Sequence, residues 1–238
     1  NAGVTVVIIG LGKSIKQRKI FEDDLVKEVN EINPYLLPSS ANIVKTRNTP
    51  ISDVSRMNYG NLPGDGNHLS LTQSDKDHLI EQYPESKKII LPLYGAQEFI
   101  RGTKRYCLWI DDSDLNFALS ISEVAQCIAR VEKTRRESKD SSYNSLASRA
   151  HQFRDRNLAK NTTILAPIVS SESREYIPAA LFPAKTGTNN AVVALYDAPL
   201  WNMALIVSKL HLVWISTICG KLETRLRYSN TLGWNTFP

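Results

Sequence analysis

The spacing of apolar and polar residues along the chain predicts several short strands and a few amphipathic helices. Apolar runs that predict strands occupy residues 4–9, 105–110, 163–169 and 191–196. The first of these runs, VTVVII, is continuous and β-branched, which is typical of a strand buried on both faces. Residues 69–71 predict a shorter strand, and the alternation across residues 222–228 predicts a strand with one exposed face.

Two longer segments carry apolar residues at helical spacing. Residues 122–137 place Val124, Cys127, Ile128 and Val131 on one side of a helix. Residues 200–218 form a second, more apolar helix that ends before Gly220. A short helix is expected after Ser74, which we assign as its cap. Because strands and helices do not alternate regularly, the pattern favours an α+β fold over a doubly wound α/β fold.

Length and cysteine content narrow the class of protein. The chain has 238 residues, of which 42% are hydrophobic, enough to bury a substantial core. Its cysteines, Cys107, Cys127 and Cys219, have no C-x-x-C spacing, which argues against structural zinc and for a reducing compartment. The most apolar stretch is interrupted by Lys209 and His211, so we expect a buried helix with a core histidine in a soluble, cytoplasmic protein.

Positive charge is concentrated in one segment. The chain has 29 Lys and Arg against 24 Asp and Glu, a net charge of +5. Residues 128–160 contain nine cations and four acids, and this excess equals that of the whole chain. The cations at the end of the predicted helix are Arg130, Lys133, Arg135, Arg136 and Lys139. A solvated helix face with cations near its C-terminal dipole and a phosphate-contacting surface both remain open.

Two segments resemble enzyme motifs but lack a required residue. Gly10-Leu11-Gly12-Lys13-Ser14 follows a predicted strand, but a phosphate-binding loop needs glycine where Val7 stands. Asn33-Pro34-Tyr35 lacks the second proline of the Asn-Pro-Pro-Tyr turn of amino-methyltransferases, so we expect a structural turn. The histidines are not at metal-ligand spacing, and no catalytic residues or metal site are predicted.

A succession of modest motifs, most dense in the last third of the chain, carries a resemblance to a known family. In chain order they include Val7-Ile8-Ile9-Gly10, Ile32-Asn33-Pro34-Tyr35-Leu36, Tyr59-Gly60, Tyr94-Gly95, Arg105-Tyr106-Cys107-Leu108-Trp109-Ile110, His151-Gln152-Phe153-Arg154, Ser171 with Arg174 and Tyr176, Ser208-Lys209-Leu210-His211, Cys219-Gly220-Lys221-Leu222-Glu223-Thr224-Arg225, Arg227-Tyr228-Ser229-Asn230 and Trp234-Asn235-Thr236-Phe237-Pro238. Their order resembles the target-recognition domain of MmeI-like DNA adenine methyltransferases of restriction-modification systems.

The resemblance implies a fold, a domain division and a role. It implies mixed, largely antiparallel strands with packed helices. Residues 1–29 would be the tail of a methyltransferase core or a linker, and residues 30–238 the recognition domain. The catalytic core would lie upstream in the same parent chain, which would use S-adenosylmethionine and be able to carry an endonuclease. This piece would need no cofactor, and its partner would be double-stranded DNA.

The same resemblance points to base-reading residues. Residues 222–227 as a strand would place Glu223, Arg225 and Arg227 on one face. Glu223 and Arg225 match positions with which the family reads a base pair, and Glu and Arg suit a C·G pair in the major groove. Asn190 and Ala191 match a second such region. A surface ion-pair ladder and a plain turn remain the alternatives for these two places.

Five cations are candidates for DNA backbone contacts, which give affinity and register but little sequence information. They are Lys209, Arg227, Lys133, Arg135 and Arg136. Two other classes stay open: a self-contained nucleotide-binding or methyltransferase enzyme, and a protein-interaction domain whose basic helix meets an acidic partner.

Overall fold

The computed structural model describes residues 7–13, 17–22, 24–40 and 43–238, which form a mixture of short strands and helices. The strands in these ranges are β1 (Arg18–Glu22), β2 (Leu25–Val29), β3 (Asn58–Tyr59), β4 (Ser70–Leu71), β5 (Ile90–Tyr94), β6 (Tyr106–Leu108), β7 (Thr162–Pro167), β8 (Val169–Ser170), β9 (Ala180–Pro183), β10 (Gly187–Thr188), β11 (Val192–Tyr196), β12 (Lys221–Leu222) and β13 (Arg225–Arg227).

The helices are interspersed among the strands without regular alternation. In the described part of the chain they are α1 (Gln73–Gln82), α2 (Ala96–Arg101), α3 (Leu115–Ser120), α4 (Ser122–Arg136), α5 (Ser141–Asn144), α6 (Trp201–Ile206) and α7 (Lys209–Ile218). Strands pair antiparallel except β10 with β5, among the pairs that the described residues form. The predicted α+β class is therefore confirmed.

The chain folds into two compact units. One unit consists of Asn1–Arg56, Val169–Ile177 and Val207–Pro238, and we call it the terminal unit. The other consists of Met57–Ile168 and Pro178–Ile206, and we call it the central unit.

The central unit contains two four-stranded sheets. Their strand orders are β10-β5-β6-β4 and β3-β11-β7-β9. Strands β7 and β11 pair over five residues, and their apolar side chains are almost fully buried. This double burial explains why both segments are continuous apolar runs in the sequence. Helix α4 packs Val124, Ile128 and Val131 into the core around β4, β5 and β6.

The terminal unit is built around the three-stranded sheet β12-β13-β8 and helix α7. The last residues of the chain pack closely in this unit. A Cβ on Gly233 would lie only 2.3 Å from Cδ1 of Ile215. Trp234 is fully buried, and its indole Nε1 donates to the Ser55 carbonyl at 2.8 Å. The aromatic residues near the end of the chain therefore belong to the core of this unit.

Several predicted elements differ from the structure. The predicted strand 4–9 lies partly outside the described residues, and its described part, residues 7–9, is exposed and irregular. An apolar run predicts burial, but a strand also needs a hydrogen-bonded neighbour. Helix α1 begins after Thr72, not Ser74, because Thr72 and Asp75 form a capping box.

The predicted long helix over residues 200–218 is two helices, α6 and α7. Ser208 has extended backbone, and its hydroxyl accepts from the backbone N–H of His211 at 3.1 Å, which starts a new helix. No helix in the described ranges is long and apolar enough to cross a membrane.

Candidate nucleic-acid interface

The segment that carries Glu223 is a hairpin, which corrects the predicted strand over residues 222–228. Strands β12 and β13 pair Lys221 with Leu226 and Leu222 with Arg225, so Glu223 and Thr224 form the turn. Glu223 has a left-handed backbone with φ of 59°. Neither turn residue is the Asn or Gly that marks such turns in a sequence, which is why the alternation suggested one continuous strand.

The hairpin brings Glu223 and Arg225 together at the surface. Nη2 of Arg225 donates to Oε2 of Glu223 at 2.8 Å, and the side chains are 45% and 49% exposed respectively. Within β13, Leu226 is buried while Arg225 and Arg227 are exposed on the opposite face. The turn and one strand face thus present one carboxylate and two guanidinium groups to solvent.

A loop distant in sequence, which no sequence pattern indicates, joins this group. Strand β8 pairs with β13, and the chain continues from β8 into Glu172. Oε1 of Glu172 accepts from the Thr224 hydroxyl at 2.8 Å. The pKa of Glu172 is lowered by its own backbone N–H and by Thr224, with weaker contributions from Arg225 and Lys221. No local pattern predicts a contact across 52 positions.

Lys209 lies in the terminal unit at the start of α7. Its Nζ is 2.8 Å from Oε1 of Glu175, and both side chains are about two-thirds exposed. It also lies 5.7 Å from the centre of the Tyr176 ring. An ion pair this exposed contributes little free energy, so the ammonium group is able to exchange Glu175 for a phosphate at small cost.

Asn190 and Ala191 lie in a tight turn of the central unit, between β10 and β11. The neighbouring Asn189 builds this turn, because its Oδ1 accepts from the N–H of Ala191 at 2.9 Å. Asn190 is exposed and Ala191 is half-buried. The turn has the geometry of the plain turn that is the alternative to base reading. It presents the Asn190 amide to solvent.

Two glycines pack directly against this turn. A Cβ on Gly60 would lie 2.0 Å from the Asn189 carbonyl oxygen, and one on Gly95 would lie 2.3 Å from Nδ2 of Asn189. Any larger residue at either place would displace Asn189. The glycines of the two Tyr-Gly pairs therefore leave the space that the turn carrying Asn190 occupies.

Helix α4 in the central unit divides its cations between surface and core. Arg136 lies 2.6 Å from Glu132, and Lys133 lies 3.9 Å from Glu137, both as exposed i,i+4 pairs. These contacts match the solvated-face alternative, and both side chains remain accessible to a phosphate.

Arg135 is fully buried and cannot contact phosphate, so this candidate is withdrawn. Its guanidinium donates only to backbone carbonyls, at distances of 2.7–3.3 Å. The five acceptors are the carbonyl oxygens of Pro63, Gly64, Leu146, Arg149 and Gln152. Arg135 continues the Val124–Ile128–Val131 stripe at helical spacing, a signal that would have predicted its burial.

The Asn33-Pro34-Tyr35 segment does not fit the binding of a target amine. Oδ1 of Asn33 accepts from the N–H groups of Tyr35 and Leu37 at 2.9 and 3.0 Å. Its Nδ2 donates to Ser39 at 2.8 Å, so the local chain occupies both ends of the amide. This agrees with the predicted structural turn, and no methyl-transfer step is assigned to it.

Comparisons with known proteins give this geometry a context. A family model described as "MmeI, target recognition domain" matches residues 38–238. The chain is similar to DNA methyltransferase A of Bacillus subtilis (strain 168), with 37% identity over 240 residues, covering 100% of this chain and 27% of that protein.

The chain is also similar to a solved structure of the type IIL restriction-modification enzyme MmeI in complex with DNA. The TM-score is 0.89 at 31% sequence identity, covering 95% of this chain and 31% of that chain. The chain therefore spans less than a third of the length of either relative.

Proposed function

Because this chain belongs to the family of MmeI target recognition domains, we propose that it reads a specific sequence in double-stranded DNA for a restriction-modification methyltransferase. The observation that carries the proposal is the exposed Glu223–Arg225 pair at the β12–β13 turn. A hairpin tip is narrow enough to enter the major groove of B-DNA, where the base pairs are distinguishable.

The proposed base contacts follow from the hydrogen-bonding groups of the pair. Arg225 carries parallel donors that match O6 and N7 of guanine, and the Glu223 carboxylate accepts from N4 of cytosine. Their contact at 2.8 Å keeps both groups within the span of one base-pair edge. On binding, the two side chains would exchange a weak surface ion pair for the bases.

The second proposed reading point is the turn at Asn190 in the central unit. Its exposed side-chain amide is able to donate to N7 and accept from N6 of adenine. Ala191 beside it leaves room for a base edge to approach the turn. The close packing of Gly60 and Gly95 against Asn189 supports this assignment, since base reading requires a firmly supported turn.

Four exposed cations remain as proposed phosphate contacts: Lys209, Arg227, Lys133 and Arg136. Each would contribute charge neutralisation and register rather than sequence preference. The ion pairs of Lys209, Lys133 and Arg136 are exposed, so a phosphate is able to replace the carboxylate in each of them.

We also propose that the parent protein is an adenine-specific DNA methyltransferase. S-adenosylmethionine would supply the methyl group for adenine N6, bound by an upstream methyltransferase domain and not by the residues described for this chain. The unpaired cysteines Cys107, Cys127 and Cys219 are consistent with work in a reducing compartment such as the cytoplasm.

Residues 1–29 are proposed to belong to the methyltransferase part, and residues 30–238 to the recognition domain. The β1–β2 hairpin supports this division, because Phe21 and Leu25 are 71% and 74% exposed. A two-stranded hairpin is marginally stable in water unless further structure covers it.

The proposed base contact is tested by exchanging the two groups. Glu223→Lys combined with Arg225→Asp keeps the net charge but reverses donor and acceptor. We expect the preferred base pair at one position of the site to change, with discrimination of about 1–3 kcal/mol in either protein. The preference is measured by selecting bound duplexes from a randomised library, using the protein in its full natural length.

A matched control reverses another exposed ion pair. Lys19 and Glu28 lie 3.3 Å apart with side chains about half exposed, so Lys19→Asp with Glu28→Lys makes an equivalent change. The selected sequence should stay that of the wild type. If the Glu223/Arg225 exchange also left it unchanged, the assignment of base reading to this hairpin would be wrong.

A further inference from the structure

The turn that carries Glu223 is held by a contact outside its own hairpin. Glu223 has a φ of 59°, a conformation that a non-glycine residue adopts only when its surroundings impose it. The backbone pairing of β12 with β13 ends at Leu222 and Arg225, so the two turn residues lie beyond the paired positions. Thr224 supplies a second constraint through its hydroxyl.

The partner of that hydroxyl is Glu172, at 2.8 Å between Oγ1 of Thr224 and Oε1 of Glu172. The backbone N–H of Glu172 and the Thr224 hydroxyl lower the pKa of this carboxyl, with weaker contributions from the charges of Arg225 and Lys221. The ionised carboxylate is therefore available as the acceptor that holds the Thr224 hydroxyl.

The strand that leads into Glu172 is held in a sheet. Strand β8 pairs with β13 through Ser170 opposite Leu226, and Ser170 is buried. The chain then turns, with the N–H of Arg174 donating to the Ser171 carbonyl at 3.3 Å. Because β8 and β13 belong to one sheet, the base of the Glu172 loop and the base of the hairpin cannot shift independently.

We infer that Glu172 is a positioning residue for base reading: through Thr224 it fixes the turn, and so sets the direction in which Glu223 and Arg225 reach a base pair. This inference rests on the proposed function of the hairpin. Glu172 need not touch DNA, and its effect is confined to the base pair that Glu223 and Arg225 read.

The inference is tested by competition between two duplexes that differ only at that base pair. Glu172→Ala and Thr224→Val each break the hydrogen bond. We expect each to reduce discrimination between the duplexes about tenfold, while affinity for random duplex DNA changes less than about threefold. The double variant should lose no more than either single variant, because both remove one interaction.

Conservative variants separate the hydrogen bond from other effects. Thr224→Ser keeps the hydroxyl, and Glu172→Gln keeps an oxygen that accepts from it, so both should retain discrimination within about threefold of the wild type. Asp77→Ala removes an exposed carboxylate from α1 and should retain it fully. Thermal unfolding of every variant is recorded in parallel. If Glu172→Ala does not fold, the discrimination measured for Thr224→Val tests the inference.

The possible outcomes are distinguishable. Wild-type discrimination in Glu172→Ala and Thr224→Val, or equal loss of affinity for all duplexes, would overturn the positioning role alone. If exchanging Glu223 and Arg225 left the preferred base pair unchanged, the proposed function of the hairpin would fail, and the positioning role with it.

Discussion

Individual arginines in this chain serve two different purposes, and burial separates them. Arg135 and Arg136 are adjacent in α4, yet Arg135 is fully buried and Arg136 is exposed. The guanidinium of Arg135 donates to five carbonyl groups, which lie in two segments distant in sequence, residues 63–64 and residues 146–152. The carbonyls of Pro63, Leu146 and Arg149 also accept from a backbone N–H, so Arg135 adds a second donor to them. Its bonds to Gly64 and Gln152 supply further pairing that would cost free energy to lose.

A pair of substitutions tests this difference. Arg135→Lys keeps the charge but replaces a five-donor planar group by one with three donors. We expect the free energy of unfolding to fall by about 2–4 kcal/mol, because a buried ammonium group forms fewer of these hydrogen bonds than the guanidinium does. Arg136→Lys is the control and should change it by less than about 0.5 kcal/mol, since its ion pair is exposed. Equal effects in urea denaturation would contradict the structural role of Arg135.

At the scale of elements, α7 and the chain after β13 are joined by a buried polar contact. Nε2 of His211 lies 2.7 Å from the hydroxyl of Tyr228, and both residues are buried. The rings of Trp234 and Phe237 surround the same imidazole. His211 is thus the predicted core histidine, and it holds α7 against the strand that carries Arg225 and Arg227.

The burial of His211 makes stability depend on pH. Burial lowers the pKa of His211 from 6.5 to about 4. The unfolded chain therefore binds more protons between these values, so the free energy of unfolding falls as pH decreases from 6.5 towards 4. Well above pH 6.5 the histidine is neutral in both states, and this group contributes almost no slope. From its pKa shift we expect a loss of about 2 kcal/mol at about pH 5 relative to neutral pH.

The measurement is urea denaturation of wild type and His211→Phe at several pH values. The variant keeps an aromatic ring among Tyr228, Trp234 and Phe237 but cannot bind a proton. Its stability should change less steeply over the same pH range. Identical slopes for the two proteins would exclude His211 as the source of the pH dependence.

For the whole molecule, the distribution of charge matters more than the net charge of +5. Three arginines of the basic segment donate hydrogen bonds from their guanidinium groups to backbone carbonyls. They are Arg135, Arg149 and Arg156. Arg156 also pairs with Asp111 at 2.6 Å and lies over the ring of Trp109. Much of the local positive charge therefore supports the fold, which leaves fewer cations for the proposed DNA contacts than the sequence count suggests.

The salt dependence of DNA binding tests which cations remain. Lys133→Ala and Arg136→Ala should each weaken binding to all duplexes and reduce the slope of log K against log salt by about 0.9. Lys87→Ala removes the same charge from the exposed side of the helical turn at Pro84–Ile89 and serves as the control. Slopes equal to that of the wild type would remove α4 from the proposed interface.

The sequence by itself determined the elements whose apolar pattern reflects burial. Strands β6, β7 and β11 and helix α4 were predicted within a few residues, because continuous or periodic apolar runs arise directly from packing on both faces or on one. The α+β class followed from their irregular order. The order of motifs also pointed to the MmeI-like family, whose recognition-domain model matches residues 38–238.

Only the tertiary structure decided how these elements present their polar groups. The Glu223–Thr224 turn and the Glu172 contact have no local signature, because they depend on hydrogen bonds set by neighbouring elements. Arg135 and Arg136 are the same residue type, and the spacing of the apolar stripe indicates which one faces the core, but the carbonyl groups that Arg135 meets there are set by the tertiary structure. Residue type states which chemistry is available, whereas burial and partners decide where it is used.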